Sequence, residues 1–137
     1  MNVLVTGGCG FIGRHLVGAL LDRDDVRGLV NLDAMTYAGR MLEVRDVRYR
    51  YEFVDLRDGA AVSEVFRSYP AFDVVFHLAA ETHVDRSIDG PGAFVKSNTL
   101  GTYHLLEAMR AYGQGAKLVS VSTDEVFGSL EQGRRAD

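Results

Sequence analysis

Near its start the chain carries Gly7-Gly8-Cys9-Gly10-Phe11-Ile12-Gly13, and near its end Thr123-Asp124-Glu125. Closely spaced glycines let a main chain approach an anion, and environment can split two neighbouring carboxyl groups into an acid and a base. Gly8, Gly10 and Gly13 satisfy G-x-G-x-x-G, while Gly7, Gly10 and Gly13 satisfy the three-spaced variant. Glycine is needed there for a sharp turn out of a strand, for close approach of a pyrophosphate and for packing of the next helix on the sheet. The start of that helix offers unpaired N–H groups and partial positive charge. An apolar run precedes the loop and a helical pattern follows it, which is the context the motif requires. Dinucleotide contacts are therefore expected at Gly7, Gly10, Phe11, Ile12 and Gly13. Cys9 reads as a space-filler, because no adjacent histidine or lysine would activate its thiol.

Asp33 closes the second apolar run about 20 positions after Gly13, where a dinucleotide fold sets a carboxylate against the adenosine ribose. A carboxylate there repels the 2′-phosphate of NADP, and Ala34 rather than an arginine follows it, so NAD is favoured. The alternative is that Asp33 only caps the following turn. Asp55-Leu56, after the third run, offers an acceptor for the adenine amino group and an apolar neighbour for its ring.

These residues need elements to position them. Short runs at Val3–Val5, Leu29–Leu32, Tyr51–Val54, Val74–Leu78 and Leu118–Val121 read as strands, several continuously apolar as in a parallel sheet covered on both faces. Helical spacing fills Phe11–Arg23, with Ile12, Leu16, Ala19 and Leu20 on one face, and about Asp58–Tyr69, with Val62, Val65 and Phe66. A longer helix is expected from Pro91 to a left-handed cap at Gly113. The alternation predicts an α/β fold with a doubly wound parallel sheet, a Rossmann fold, here incomplete. Residues 1–127 form its dinucleotide-binding domain, and 128–137 form a polar loop or tail leading towards further chain.

Composition sets limits. The chain has 137 residues, 47% apolar and 25% charged, with a net charge of −4, so one domain without the basic surface of a nucleic-acid binder is expected. One cysteine rules out an internal disulfide and points to a reducing, cytoplasmic setting. The first strand leaves no room for a signal peptide, and no apolar stretch suggests a membrane partner. No metal-ligand spacing occurs.

Thr6–Gly13, Asn31–Asp33 with Thr36-Tyr37-Ala38-Gly39, His77–Ile88 and Ser122–Gly128 follow one another in an order that closely resembles the dTDP-glucose 4,6-dehydratases. These are extended short-chain dehydrogenase/reductases. The likeness runs along essentially the whole chain, which would make up less than half of a complete member. It implies an NAD cofactor and a nucleotide-sugar substrate, dTDP-glucose first. The implied reaction is oxidation at C4, loss of water across C5–C6 and return of the hydride to C6, giving dTDP-4-keto-6-deoxyglucose. It also implies that Asp124 is the acid for the departing C6 hydroxyl, that Glu125 is the base for the C5 proton, and that Thr123 bonds the sugar near C4. Leu78, Ala79, Ala80, Glu81 and Thr82 would line the nicotinamide-side ribose and diphosphate, Thr82 also touching substrate. Ala34, Met35, Thr36, Asp55, Leu56 and Ser97 complete the implied cofactor contacts. His77 reads as a satisfied core residue, His83 as a loop residue, and His15 and His104 as helix-face residues. Asn98 has a polar task in mid-helix.

The family's Tyr-x-x-x-Lys is absent from these 137 residues: the two lysines are Lys96 and Lys117, with glycine four positions before each. Turnover by this chain alone is therefore not expected, and a homodimer is expected of the complete protein. The alternatives are an inactive stand-alone dinucleotide-binding module, or a piece of a related UDP-sugar dehydratase or epimerase. An exposed apolar face and open edge are expected at the last strand.

Overall fold

The computed structural model describes residues 1–128, without the side chains of Val84 and Arg86. The expected tail therefore lies, beyond Gly128, outside the described residues. Five strands, β1 (Asn2–Thr6), β2 (Gly28–Asp33), β3 (Tyr49–Phe53), β4 (Val74–His77) and β5 (Lys117–Ser120), form one parallel sheet in the order β3-β2-β1-β4-β5. The chain winds outward from β1 to β3, then returns to β4 beside β1 and winds the other way. Loops after β1 and β4 diverge at that reversal and leave a crevice at the carboxyl edge. Register puts Thr6 beside both Leu32 and His77, so Gly7, Asp33 and Leu78 all emerge on that edge.

The middle of β1, Val3–Val5, is apolar because both of its faces are covered. Val3 and Val5 pack with Val17 and Leu20 of α1 (Phe11–Leu21), while Leu4 faces Val62, Val65 and Phe66 of α2 (Gly59–Ser68). Alternation along a strand sends neighbouring side chains to opposite faces, so two cores share one strand. Each fully buried Leu or Val of this kind contributes about 1.5–3 kcal/mol by leaving water. Asp58 starts α2 by accepting the N–H groups of Ala60 and Ala61.

Several expectations need correction. The face that α1 buries is Gly13, Val17 and Leu20, whereas Ile12 and Ala19 of the expected stripe are exposed. The long helix is not one α-helix: α4 (Pro91–Phe94) passes into a π-helical turn (Val95–Leu100) and then α5 (Gly101–Tyr112). Gly113 is not left-handed, since its φ is −73°; Gln114 and Gly115, with φ of 45° and 88°, make the reversal. A short helix, α3 (Val84–Asp89), follows His83, in a stretch to which the sequence assigned no element. At the far edge β5 is exposed along its length, with Leu118 and Val119 open to solvent, so continuous burial applies to the inner strands only. No helix among the described residues is long and apolar enough to cross a membrane.

Candidate dinucleotide site

The glycine loop leaves β1 at Gly7, whose φ of +76° suits glycine and whose added Cβ would lie 2.7 Å from the Ala79 main chain. Two β2 side chains hold the loop. The Asn31 Oδ1 accepts the Gly8 N–H at 3.0 Å, and the Asp33 Oδ2 accepts the Cys9 N–H at 2.9 Å. Asn31 is wholly buried and also donates to the Tyr49 hydroxyl at 3.0 Å. A Cβ on Gly13 would meet the Gly7 carbonyl at 2.1 Å, so this glycine serves the seating of α1 against the loop. A Cβ on Gly10 would meet only the Gly7 oxygen, at 3.2 Å, and Gly10 lines the crevice.

With the Gly8 and Cys9 amides engaged, the loop's offer to an anion is the first turn of α1. Phe11 and Ile12 stand where an α-helix has no internal acceptor for its N–H groups. No side chain caps this start and no acidic residue lies in the first turn, so its positive end is not neutralised locally. The Phe11 and Ile12 side chains are exposed and do not line the crevice; only their main chain is suited to the task.

Asp33 sits at the crevice with both oxygens in use, Oδ1 accepting the Met35 N–H at 2.8 Å. It therefore does cap the following turn, as the alternative held, and that bond fixes the carboxylate in the crevice wall. Each oxygen keeps lone pairs for a further donor. Met35 itself has a φ of 48° and does not line the crevice, whereas Ala34 and Thr36 do. The segment after β2 folds back over the glycine loop, with the Arg40 N–H bonded to the Cys9 carbonyl at 2.9 Å. Cys9 is buried, and burial followed by the nearby Asp33 charge pushes its thiol pKa up, which keeps it inert.

Asp55 and Leu56, expected from the sequence to be cofactor contacts, both line the crevice. The Asp55 carboxylate is gripped by the Arg57 Nε, at 3.0 and 2.8 Å from its two oxygens, and this bond holds its pKa below the usual range. Arg57 also lines the crevice. Leu56 is fixed from behind: its carbonyl lies 2.9 Å from the His104 Nδ1. On the other wall, Leu78, Ala79, Ala80 and Glu81 line the crevice together with Ser97 from the π turn. Asn98 clamps that wall, its Oδ1 accepting the Glu81 N–H at 2.8 Å and its Nδ2 donating to the Glu81 carbonyl at 2.9 Å.

Thr82 is exposed and does not line the crevice. Thr123 precedes a 3₁₀ turn (Asp124–Phe127) beyond β5 without a side-chain capping bond, and Thr123, Asp124 and Glu125 all stand in solvent, apart from the crevice-lining residues. Sequence reasoning missed Leu32, Ala38, Gly39, Val54, Arg57 and Ala93. Leu32 and Val54 carried a legible signal as residues at strand ends; the others arrive through loop and helix geometry. No group of three metal-binding side chains occurs among the described residues.

Comparison with known proteins places the chain among similar sequences and folds. A dTDP-glucose 4,6-dehydratase of Salmonella typhimurium is 43% identical over 142 residues, covering 95% of this chain and 39% of that protein. One from Neisseria gonorrhoeae is 46% identical over 143 residues, covering 94% and 40%. The chain thus spans about two fifths of the length of these relatives. Among solved structures, a Streptomyces venezuelae dTDP-glucose 4,6-dehydratase with NAD bound superposes with a TM-score of 0.82 at 42% identity, covering 97% of this chain and 42% of that one. A Thermus thermophilus UDP-glucose 4-epimerase complexed with NAD gives 0.86 at 39%, covering 100% and 42%. Residues 4–136 match the family model described as GDP-mannose 4,6 dehydratase, and the chain belongs to that family.

Proposed function

We propose that this chain is the NAD-binding portion of a nucleotide-sugar 4,6-dehydratase, acting on dTDP-glucose, and that residues 1–127 are its dinucleotide-binding domain. The observation that carries the reading is the pairing, on one sheet edge, of an uncapped helix start beside Gly10 with a carboxylate fixed at Asp33. The first-turn amides of α1 would receive the diphosphate. Asp33 would accept the ribose hydroxyls and disfavour a 2′-phosphate. Leu56 and Val54 would lie against the adenine, with Leu78–Glu81 and Ser97 along the nicotinamide half. When bound, NAD supplies the hydride acceptor and donor that oxidation and reduction at sugar carbons require.

Elimination of water further needs an acid and a base. Asp124 and Glu125 are our candidates for these roles, with Thr123 and Thr82 as sugar contacts. Support comes from their place beyond β5, on the carboxyl edge that also carries Gly7, Asp33 and Leu78. A homodimer of the complete protein is in keeping with the exposed Val95, Leu100, Tyr103 and Leu106 of the long helical segment. The second reading, a dinucleotide-binding module without turnover of its own, is favoured by the solvent-exposed position of Asp124 and Glu125 apart from the crevice residues.

Amide chemical-shift mapping tests the proposal. Addition of NAD to ¹⁵N-labelled chain should shift Gly10, Phe11, Ile12, Asp33 and Ala79 together. Shifts confined to other surfaces, or none at all, would remove it.

A further inference from the structure

His77 lies at the end of β4 with 5% of its surface exposed, does not line the crevice, and is bonded at both ring nitrogens. The donor and acceptor roles follow from one fixed point. Thr102 Oγ1 lies 2.6 Å from the Asn98 carbonyl, and a carbonyl can only accept, so the Thr102 hydroxyl donates its single hydrogen there. Thr102 can then only accept from His77, whose Nε2 is 2.9 Å away, so Nε2 carries a hydrogen. On the other side Nδ1 lies 2.7 Å from Thr6 Oγ1, and that oxygen also accepts the Ala79 N–H at 3.3 Å. The Thr6 hydroxyl hydrogen satisfies a bare Nδ1. The opposite tautomer would set lone pair against lone pair at Thr102. A doubly protonated ring would leave the wholly buried Thr6 hydroxyl hydrogen without its acceptor.

Thr6, His77 and Thr102, so joined, adjoin the two walls of the crevice without lining it themselves. Thr6 is the residue before Gly7, where the glycine loop leaves β1. Ala79 lies in the opposite wall. Thr102 ties the ring to the Asn98 carbonyl, and the Asn98 side chain clamps Glu81. We infer that His77, held as the neutral Nε2–H tautomer between Thr6 and Thr102, is a positioning residue that sets the spacing of the glycine loop and the Ala79–Glu81 wall for the dinucleotide. This rests on the dinucleotide reading above. It goes beyond it by giving a task to a buried titratable group that does not line the crevice.

Two measurements on the full chain decide it. Long-range ¹H–¹⁵N spectra of the unliganded protein should show His77 with a protonated Nε2 and an unprotonated Nδ1. NADH fluorescence titration should show Thr102→Val, which leaves the Nε2–H facing a methyl group, binding about tenfold more weakly, the equivalent of about 1.4 kcal/mol. Thr102→Ser, which keeps the hydroxyl, should bind within about twofold of the unmodified chain, well inside that tenfold step. An Nδ1–H tautomer overturns the proposal whether or not Thr102→Val folds. So does a folded Thr102→Val that binds NADH as well as the parent, since a merely structural role would lower the melting temperature and leave affinity alone. If the parent chain takes up no NADH, the dinucleotide reading fails and the cofactor-spacing role falls with it, while the ¹⁵N spectrum still decides the hydrogen-bonded relay.

Discussion

Alanine at Gly13 and at Gly18 makes the same chemical change on one helix with opposite expected results. Helix propensity alone favours alanine by about 0.8–1 kcal/mol at an interior position. At Gly18 a Cβ meets nothing within 4 Å, so most of that gain should appear as stability. At Gly13 the Cβ would sit 2.1 Å from the Gly7 oxygen and 2.7 Å from the Gly8 Cα, against 3.4 Å for ordinary contact. Those atoms cannot easily retreat. The Gly7 N–H is bonded to the Leu32 carbonyl at 2.8 Å, and Gly8 is bonded to the buried Asn31. Overpacking against such a neighbour typically costs about 1–3 kcal/mol, which outweighs the propensity gain. Thermal melts followed by circular dichroism should place Gly18→Ala above Gly13→Ala by roughly 6–10 °C. Because the atoms that must move form the anion loop, Gly13→Ala should also lose NADH binding beyond its loss of stability. Equal melting temperatures, or unaltered NADH affinity in Gly13→Ala, would refute the claim that loop and helix are in contact through this glycine.

Three other outcomes follow from the same geometry. Asp33→Asn would turn an amide NH₂ towards the N–H of Cys9 or Met35, so NADH binding should weaken by about tenfold and the margin over NADPH should shrink, as read by titration. Arg48 donates to both Asp46 oxygens at 3.0 and 2.7 Å and draws that carboxyl from 3.8 down to about 2. A folded pKa below the unfolded one gives stability that is present above about pH 4 and lost as pH falls towards 2, so Asp46→Asn should flatten that part of an acid-unfolding curve. Asp124→Asn and Glu125→Gln should leave NADH affinity within about twofold of the parent, well under a tenfold change, because neither residue lines the crevice. A larger loss would place them in the cofactor site.

The inner sheet is legible because β1 and β2 are covered on both faces and carry the apolar runs Val3–Val5 and Leu29-Val30, and Gly7 and Asp33 stand where those strands stop. Edge strands were harder. Tyr49–Phe53 mixes Arg50 and Glu52 among aromatics, so the start of β3 lay two residues earlier than its apolar pattern suggested. The π turn leaves no separate mark, because Pro91 and apolar spacing announce an α-helix and a π-helix alike. The left-handed reading of Gly113 fails because the reversal falls one residue later, at Gln114 and Gly115; what asks for glycine at 113 is the Met109 carbonyl, 2.5 Å from where its Cβ would stand. In the site, Asp33 could be read from a strand end and Leu78–Glu81 from the family resemblance, but Arg57, Gly39 and Ala93 reach the crevice through loops and a helix turn whose course depends on tertiary packing. Asn31 and His77 were visible as residue types, yet their partners Gly8, Thr6 and Thr102 are distant in sequence and only the register brings them together.

Paired titrations with NADH and NADPH test the central claim most directly, and with no tryptophan in the chain the nucleotide's own emission can be followed without indole background. A main-chain anion site flanked by the fixed Asp33 carboxylate predicts saturable NADH binding, with NADPH weaker by about tenfold or more. Absence of saturation with either nucleotide, or equal affinity for both, would contradict it.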